Sequence, residues 1–316
     1  MVDVLALERG ADLPPGPDNP RGFFESHQLT SFNDQLLAAL GGDWCHPPLT
    51  PPPWSEPPLL DCITAERQRF APYALGREWL DKDPRLCITL PAIQHLLLRR
   101  VPVLVALRDP LQVAASLRWR NGFDLERGLA LWFLYNHHLA VSLQDSDHLI
   151  TYTDLLAASA ESVRAAQLLD LLAPFLEVHG HRAPSPVAWR QILATRVEAG
   201  LNRAAQFSVH PQSDANGISP QLAALVSDAY QQAVEGVAGH RQAFAALPWP
   251  ILELCGRLRL CAPGVEQQQR CQHLLRELDD CRRQLVEQQQ QMQALRSSTS
   301  WQSTAPLRWL LDRRRR

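Results

Sequence analysis

An arginine that follows a purely apolar segment is the first feature of this sequence that suggests chemistry. Residues 101–107, VPVLVAL, run without a polar break and are followed by Arg108, Asp109 and Pro110. Such a segment is typical of a strand covered on both faces in a parallel sheet. Asp109 can cap a helix and Pro110 suits its first position. Arg108 would then lie beside a helix N-terminus, which favours anions, so the pattern predicts a phosphate site.

A serine eight residues after Arg108 is the second part of this predicted site. Ser116 follows Asp109 by seven residues, about 700° of helical rotation, so it returns to nearly the same helix face two turns later. We therefore expect Arg108 and Ser116 to bind one phosphate together. The alternative interpretation is a surface ion pair for the arginine and a hydrogen bond from the serine to its own backbone.

The segments around these residues alternate between helix and strand. Their patterns predict helices at 31–41, 61–80, 91–100, 110–121 and 128–143, and strands at 85–90, 101–107 and 148–152. Residues 160–250 are predicted to be mostly helical. This alternation indicates an α/β protein with a parallel sheet, in which ligands bind at the carboxyl ends of the strands.

Composition narrows the class of protein. The chain has 316 residues, 46% of them hydrophobic, which is enough for one substantial core and an appendage. The seven cysteines are scattered without a C-x-x-C pair, which favours ordinary thiols over disulfides or zinc. The paired histidines His137/His138 and His179/His181 lack carboxylates at a ligand spacing, so we predict no metal site. Neither a membrane span nor a signal peptide is indicated, which predicts a cytoplasmic protein.

The net charge differs in sign between the two parts of the chain. The net charge is −2 overall, with −7 in residues 1–250 and +5 in the remainder. An acidic body argues against nucleic acid as a partner.

Apolar residues at heptad spacing in 271–295 predict a coiled coil, which implies self-association or a partner helix; the alternative is one helix packed on the body. The tail, 301–316, combines aromatic residues with arginines and suits a bilayer surface or an acidic partner.

Four stretches in order resemble bacterial sulfotransferases that use 3′-phosphoadenosine-5′-phosphosulfate (PAPS). They are NPRGFFES with FNDQLLAALG, KDPRLCITLP, the Arg108–Ser116 segment continuing into RNGF, and LITYTDLL, and they cover residues 1 to about 205. The resemblance implies a P-loop-type parallel sheet flanked by helices. It also implies transfer of a sulfuryl group from PAPS to a hydroxyl acceptor such as a glycan or a metabolite.

The resemblance also implies roles for individual residues. Arg108 and Ser116 would bind the 3′-phosphate of the nucleotide. Lys82, the single lysine beside 30 arginines, would lie near the transferred sulfuryl group and neutralise charge at the bridging oxygen. The reaction needs a base for the hydroxyl proton; Glu25, which follows two aromatic residues, is the first candidate and His27 competes with it.

Two further residues of the matching stretches have less specific roles. Arg85 contacts sulfate or acceptor in one interpretation and pairs with Asp81 or Asp83 in the other. Asp154 is expected to be architectural, capping the helix that follows it.

One expected element is missing from the sequence. The strand and loop whose amides bind the 5′-phosphosulfate in such enzymes are not found, which predicts either an upstream start or the loss of half the donor site. A non-catalytic relative that acts as a scaffold through the coiled coil is therefore the alternative function. A small-molecule kinase would need a Walker lysine motif, which is absent. We accordingly expect an α/β domain at 1–250, a linker at 251–265, a coiled-coil helix at 266–298 and a basic tail at 299–316.

Overall fold

The computed structural model describes residues 25–75, 79–197, 218–262, 283–284 and 286–294. The chain divides into two compact units, residues 1–264 and 265–316. The described helices of the first unit are α1 (His27–Ala39), α2 (Pro57–Ala65), α3 (Ala71–Ala74), α4 (Leu86–Leu97), α5 (Pro110–Asn121), α6 (Leu125–Ser142), α7 (Tyr152–Ala160), α8 (Ser162–Val178), α9 (Pro186–Arg196), α10 (Pro220–Ala233), α11 (Val237–Ala243) and α12 (Trp249–Arg257). Its strands are β1 (Leu104–Leu107) and β2 (His148–Thr151).

The two strands form a parallel pair, in register from Leu104 opposite His148 to Leu107 opposite Thr151. Parallel strands need a long crossover, which α5 and α6 supply here. The described part of the chain is thus mostly helical around a small parallel sheet, and the parallel pairing predicted for these two segments is confirmed. The larger sheet implied by the resemblance is not found among the described residues.

Coverage of β1 differs from the prediction of a strand buried on both faces. Val105 and Leu107 are buried against α6, and Leu104 is half-buried against the helices after β2. Ala106, on the same face as Leu104, is exposed. The second face is therefore only partly covered.

The strand predicted at 85–90 is wrong, because this segment is the first half of α4. Asp83 precedes the helix, and its Oδ1 accepts a hydrogen bond at 2.9 Å from the amide of Arg85, the N-cap residue. The apolar run looked like a buried strand because α4 lies between two cores, with Ile88 and Ile93 in one and Leu90 in the other. Periodicity alone cannot separate a short buried strand from a helix that is apolar on most sides.

Three cores hold the first unit together, and each is formed by neighbouring helices. The first surrounds α6, the second lies between α1, α2 and α4, and the third lies between α7, α8 and α9. Tyr135 of α6 packs against both the first and the second core. The predicted helix face of α1 is confirmed, since its members are buried: Phe32, Leu36, Leu37 and Leu40.

The first residues of segment 251–265, which was predicted as a linker, pack in the core of the first unit. Ile251 and Leu254 of α12, and Leu260 after it, are buried in the first core. The first unit accordingly extends at least to Ala262, whose amide donates to the carbonyl of Pro47 at 3.2 Å.

In the second unit, the described residues 283–284 and 286–294 are helical and exposed. They include Gln288 and Met292 of the predicted heptad seam; its other positions and the tail at 301–316 lie outside the described residues. Among the described residues, no helix is long and apolar enough to cross a membrane.

Candidate functional site

The residues predicted as base and as sulfuryl contact, Glu25 and Lys82, form an ion pair in the structure. Glu25 immediately precedes α1, whose N-cap is Ser26. The Asp81 carboxylate joins the two segments, because its Oδ1 accepts from the amide of Ser26 at 3.1 Å and from the amide of Lys82 at 2.8 Å. Two residues 57 positions apart are thereby brought into contact.

Burial differs between the two partners. The Glu25 side chain is 9% exposed and the Lys82 side chain is 57% exposed. The Lys82 side chain therefore borders solvent, whereas the Glu25 side chain is almost entirely buried. Burial raises the pKa of the neighbouring Asp81, and the hydrogen bonds from Ser26 and Lys82 oppose that rise.

Arg85, at the N-cap of α4, is the third predicted residue at this cluster. Its Nη1 lies 3.0 Å from Asp83 Oδ1 and 4.0 Å from Glu25 Oε2, and its Nε lies 2.6 Å from Asp34 Oδ1. Burial lowers the pKa of Arg85, but the negative charges of Asp83 and Asp34 outweigh it and the net shift is upward. The pairing with Asp83 agrees with one of the two interpretations of Arg85.

A buried hydrogen-bond network holds Asp83, the carboxylate that pairs with Arg85. Asn33 donates from Nδ2 to Asp83 Oδ2 at 2.8 Å, and Thr89 donates from Oγ1 to Asn33 Oδ1 at 2.8 Å. Asn33 and Thr89 are fully buried and Asp83 is 5% exposed. Sequence reasoning missed Asn33, Asp34 and Thr89; the available signal was the polar Asn33 within the apolar face of α1.

His27, the competing base, lies apart from this network. It is exposed on the first turn of α1, with Nδ1 3.4 Å from the Ser31 hydroxyl. The structure thus brings Glu25, Lys82 and Arg85 together and places His27 on the solvent side of the same helix.

The strand tip has the local structure that the sequence predicts. Asp109 is the N-cap of α5 and accepts from the Gln112 amide at 3.0 Å. Arg108 donates from Nε to Gln112 Oε1 at 3.3 Å, and its guanidinium lies 4.6 Å from the centre of the Tyr152 ring. Burial lowers the pKa of Arg108, opposed by Tyr152 and Asp109.

Ser116 lies further along the same helix. It is half-buried on α5, about 9 Å along the helix axis from Pro110 at 1.5 Å per residue. Arg108 and Ser116 therefore belong to one strand–helix unit, with the arginine at its N-terminal end and the serine near its middle.

Helix α6 contacts both the strand tip and the second core, which α4 lines. Trp132 donates from Nε1 to the carbonyl of Arg108 at 3.1 Å. Tyr135, three residues later on α6, packs against the second core, and burial raises its pKa. Its hydroxyl donates to the carbonyl of Trp44 at 2.6 Å. Helix α6 thus links the strand tip to the core that α4 lines.

Asp154 has an architectural position, as expected, but it is not itself the cap residue. The N-cap of α7 is Thr151, whose Oγ1 accepts from the Asp154 amide at 2.9 Å and donates to Asp154 Oδ2 at 2.6 Å. The cap is therefore the preceding threonine, and Asp154 supports it from the first turn of the helix.

The histidines of α6 are structural, as the sequence predicts. His137 donates from Nδ1 to the carbonyl of Phe244 at 2.8 Å, and His138 donates from Nε2 to the carbonyl of Pro48 at 2.7 Å. Burial lowers the pKa of His138 to about 4. Both side chains therefore link α6 to the chain around it.

Within the described ranges, one group of side chains has metal-ligand types in contact: Asp43, Cys45 and His46. Arg127 argues against a cation there, because its Nη2 lies 3.1 Å from His46 Nε2. Arginine only donates, so Nε2 must accept and the ring proton is on Nδ1, which faces Asp43 at 3.0 Å. The nitrogen nearest Asp43 and Cys45 thus has no lone pair to offer.

Comparisons of the chain with protein-family models, with curated proteins and with solved structures found no match.

Proposed function

We propose that this protein is a PAPS-dependent sulfotransferase that acts on a hydroxyl acceptor. The observation that carries the proposal is the contact between Glu25 and Lys82, two residues selected for complementary roles in sulfuryl transfer. The contact supports the proposal because it joins these two residues across 57 positions of the chain and places the Glu25 carboxylate in a largely buried position.

The chemistry assigns one task to each partner. The bond between sulfur and the phosphate oxygen breaks, the acceptor oxygen forms a new bond to sulfur, and the acceptor proton passes to the Glu25 carboxylate. Lys82 neutralises the charge that develops on the bridging oxygen. In the absence of substrates the two side chains satisfy each other, and the exposed Lys82 is the one that turns toward the donor.

The nucleotide phosphate is assigned to the tip of β1. Arg108 supplies positive charge there, beside the N-terminal end of α5, and Ser116 completes the proposed 3′-phosphate site. Trp132 of α6 contacts the Arg108 carbonyl, and Tyr135, three residues later, packs against the second core, so α6 links this proposed phosphate site to the core that α4 lines.

Calorimetric titration with 3′-phosphoadenosine 5′-phosphate tests the proposal. We expect the full chain to bind it and Arg108→Ala to weaken binding by about 10-fold or more, since a charge-assisted contact is lost. Arg190→Ala, which removes an exposed arginine of α9, is the matched control and should bind as the unaltered chain does. A folded chain that does not bind the nucleotide would refute the proposal.

Lys82→Ala tests the assignment within the site. We expect sulfuryl transfer to an acceptor mixture to fall by at least about 100-fold while nucleotide affinity changes little, because the lysine acts on the developing charge. Unchanged turnover would remove Lys82 from the mechanism.

A second candidate function is a non-catalytic scaffold that acts through the C-terminal helix. It is favoured by the exposure of apolar residues in 286–294, where Val286 is 50% and Met292 is 52% exposed. Sedimentation equilibrium of the full chain and of Met292→Glu distinguishes it: a self-associating helix would give a dimer or larger species that the charged variant weakens.

A further inference from the structure

Two cysteines near the end of the first unit are in direct contact. Cys255 lies in the last turn of α12, Cys261 follows six positions later, and their thiols are hydrogen-bonded to each other. Cys255 is buried in the first core, and Cys261 is a half-buried residue that packs against the same core. Both thiols are free in the structure.

The backbone at the end of α12 holds this contact. The Leu260 amide donates to the Cys255 carbonyl at 2.9 Å, and the Arg259 amide donates to the Gly256 carbonyl at 3.2 Å. These two bonds form a Schellman motif, in which Arg259 adopts a left-handed conformation with a φ of 48°. The motif reverses the chain, so the residue before Cys261 lies against the backbone of Cys255.

A second contact fixes the chain directly after Cys261. The Ala262 amide donates to the carbonyl of Pro47 at 3.2 Å, in the segment that follows α1. Leu260, on the other side of Cys261, is fully buried. Cys261 therefore lies between two anchored residues, and the fold itself brings the two thiols together.

The hydrogen bond makes one thiol of the pair easier to ionise. Donation from Cys261 lowers the pKa of the Cys255 thiol, whereas the same bond and burial raise the pKa of Cys261. Two other cysteines of the described chain differ, since burial raises the pKa of Cys45 to about 11 and that of Cys87 to about 12. Because the thiolate is the nucleophile, Cys255 is the more reactive sulfur, and a second sulfur is already in contact with it.

We propose that Cys255 and Cys261 form a site of reversible oxidation, at which a hydroperoxide converts the two thiols to a disulfide. With hydrogen peroxide, the Cys255 sulfur attacks one oxygen, the O–O bond breaks and hydroxide leaves, which gives a sulfenic acid. The Cys261 sulfur then attacks the sulfenic sulfur, the S–O bond breaks and water leaves as the S–S bond forms. Two thiols are oxidised, the peroxide is reduced to two waters, and both thiol protons end in those waters.

The position of the pair gives the disulfide a structural consequence. It joins the last turn of α12 covalently to the residue before Ala262, which is the last described residue of the first unit. The proposal is independent of the proposed transferase activity, because neither cysteine is among the residues assigned to sulfuryl transfer.

Tryptic mapping of the full chain after hydrogen peroxide treatment tests the proposal, because Arg257 and Arg259 lie between the two cysteines. Trypsin places Cys255 and Cys261 in separate peptides, 242–257 and 260–270, unless a disulfide joins them. We expect to recover these peptides joined, with the intact single chain lighter by about 2 Da and both changes reversed by dithiothreitol. The absence of the joined peptides, or Cys255 joined to another cysteine, would overturn the proposal. The measurement needs no variant to fold.

The order in which the cysteines are consumed tests the reactivity of the pair. Maleimide labelling in denaturant after quenching at successive times follows each thiol by its peptide. Cys255 and Cys261 should lose label at least about 10-fold faster than Cys45 and Cys87, whose thiolates are less accessible by ionisation. Equal rates for the four cysteines would contradict a preorganised pair.

Two matched variants identify the second sulfur. Cys261→Ser should give no joined peptide and should leave Cys255 as a sulfenic acid that dimedone traps. Cys62→Ser removes a thiol from α2 and should form the disulfide as the unaltered chain does. If Cys62→Ser also prevented the joined peptide, the disulfide would arise by exchange through other thiols, and the proposal would be wrong.

Discussion

Two buried histidines should make this protein lose stability in mild acid. His138 is 3% exposed and His240 is fully buried, and burial lowers the pKa of each to about 4. His240 donates from Nε2 to Asn136 Oδ1 at 2.8 Å. In the unfolded chain both would titrate near the ordinary value of about 6.5.

The sign and size of this change in stability follow from the linkage between proton binding and folding. Because the folded pKa is depressed, the unfolded state binds more protons between pH 6.5 and 4, so the stabilisation present above pH 6.5 is lost as the pH falls. At 1.36 kcal/mol per pKa unit, each histidine contributes a loss of about 2–3 kcal/mol between pH 7.5 and 4.5. Such a loss is a large part of a typical domain stability.

Urea unfolding at pH 7.5 and pH 4.5 measures this effect, and the variant His240→Gln isolates it. The glutamine keeps a donor for Asn136 but does not titrate, so the loss of unfolding free energy between the two pH values should be about 2–3 kcal/mol smaller than in the unaltered chain. His27→Gln, at an exposed position, is the control and should leave the loss unchanged. If His240→Gln and the unaltered chain lost the same stability, the buried histidine would not be the cause.

Three further substitutions test the packing and the polar network by urea unfolding at neutral pH. Gly128→Ala should destabilise by about 1–3 kcal/mol, because a Cβ at Gly128 would lie 2.6 Å from the Ala114 Cα where α5 meets α6; an unchanged midpoint would contradict this close approach. Leu98→Gly should stabilise by about 0.5–1 kcal/mol, since Leu98 has a φ of 53° that costs a branched side chain energy; a loss of stability would show that its side chain matters more. Asp83→Ala should destabilise by about 3–5 kcal/mol, because Arg85 and Asn33 lose a buried partner; a loss below about 1 kcal/mol would mean that the network is solvated.

The sequence predicts the local elements of this fold better than their arrangement. The cap of α5 at Asp109 and the buried face of α1 follow from residue type and spacing, and both are confirmed. The segment 85–90 was assigned to the wrong element because its burial comes from cores on two sides, which a local pattern cannot show. The core position of 251–262 was missed for a related reason: Ile251 and Leu254 become buried only through distant helices.

The residues of the candidate site were also only partly predictable from the sequence. Glu25, Lys82 and Arg85 were selected from the sequence by residue type and resemblance, and the structure places them in contact. Asn33 and Asp34, which support Arg85, are 51–52 positions away from it in the chain, and such long-range hydrogen bonds leave little trace in a single sequence.

The position of Trp132 and Tyr135 on one helix limits how the sequence of α6 can change. One residue inserted or deleted between them would rotate one contact by about 100° relative to the other and shift it by about 1.5 Å, so Trp132 and Tyr135 could not both keep the carbonyls of Arg108 and Trp44 as partners. The turn at 143–147, which follows the helix, has no such constraint from these contacts. Length variation in this half of the protein should therefore accumulate in turns, while the number of residues between the two contacts of α6 stays fixed.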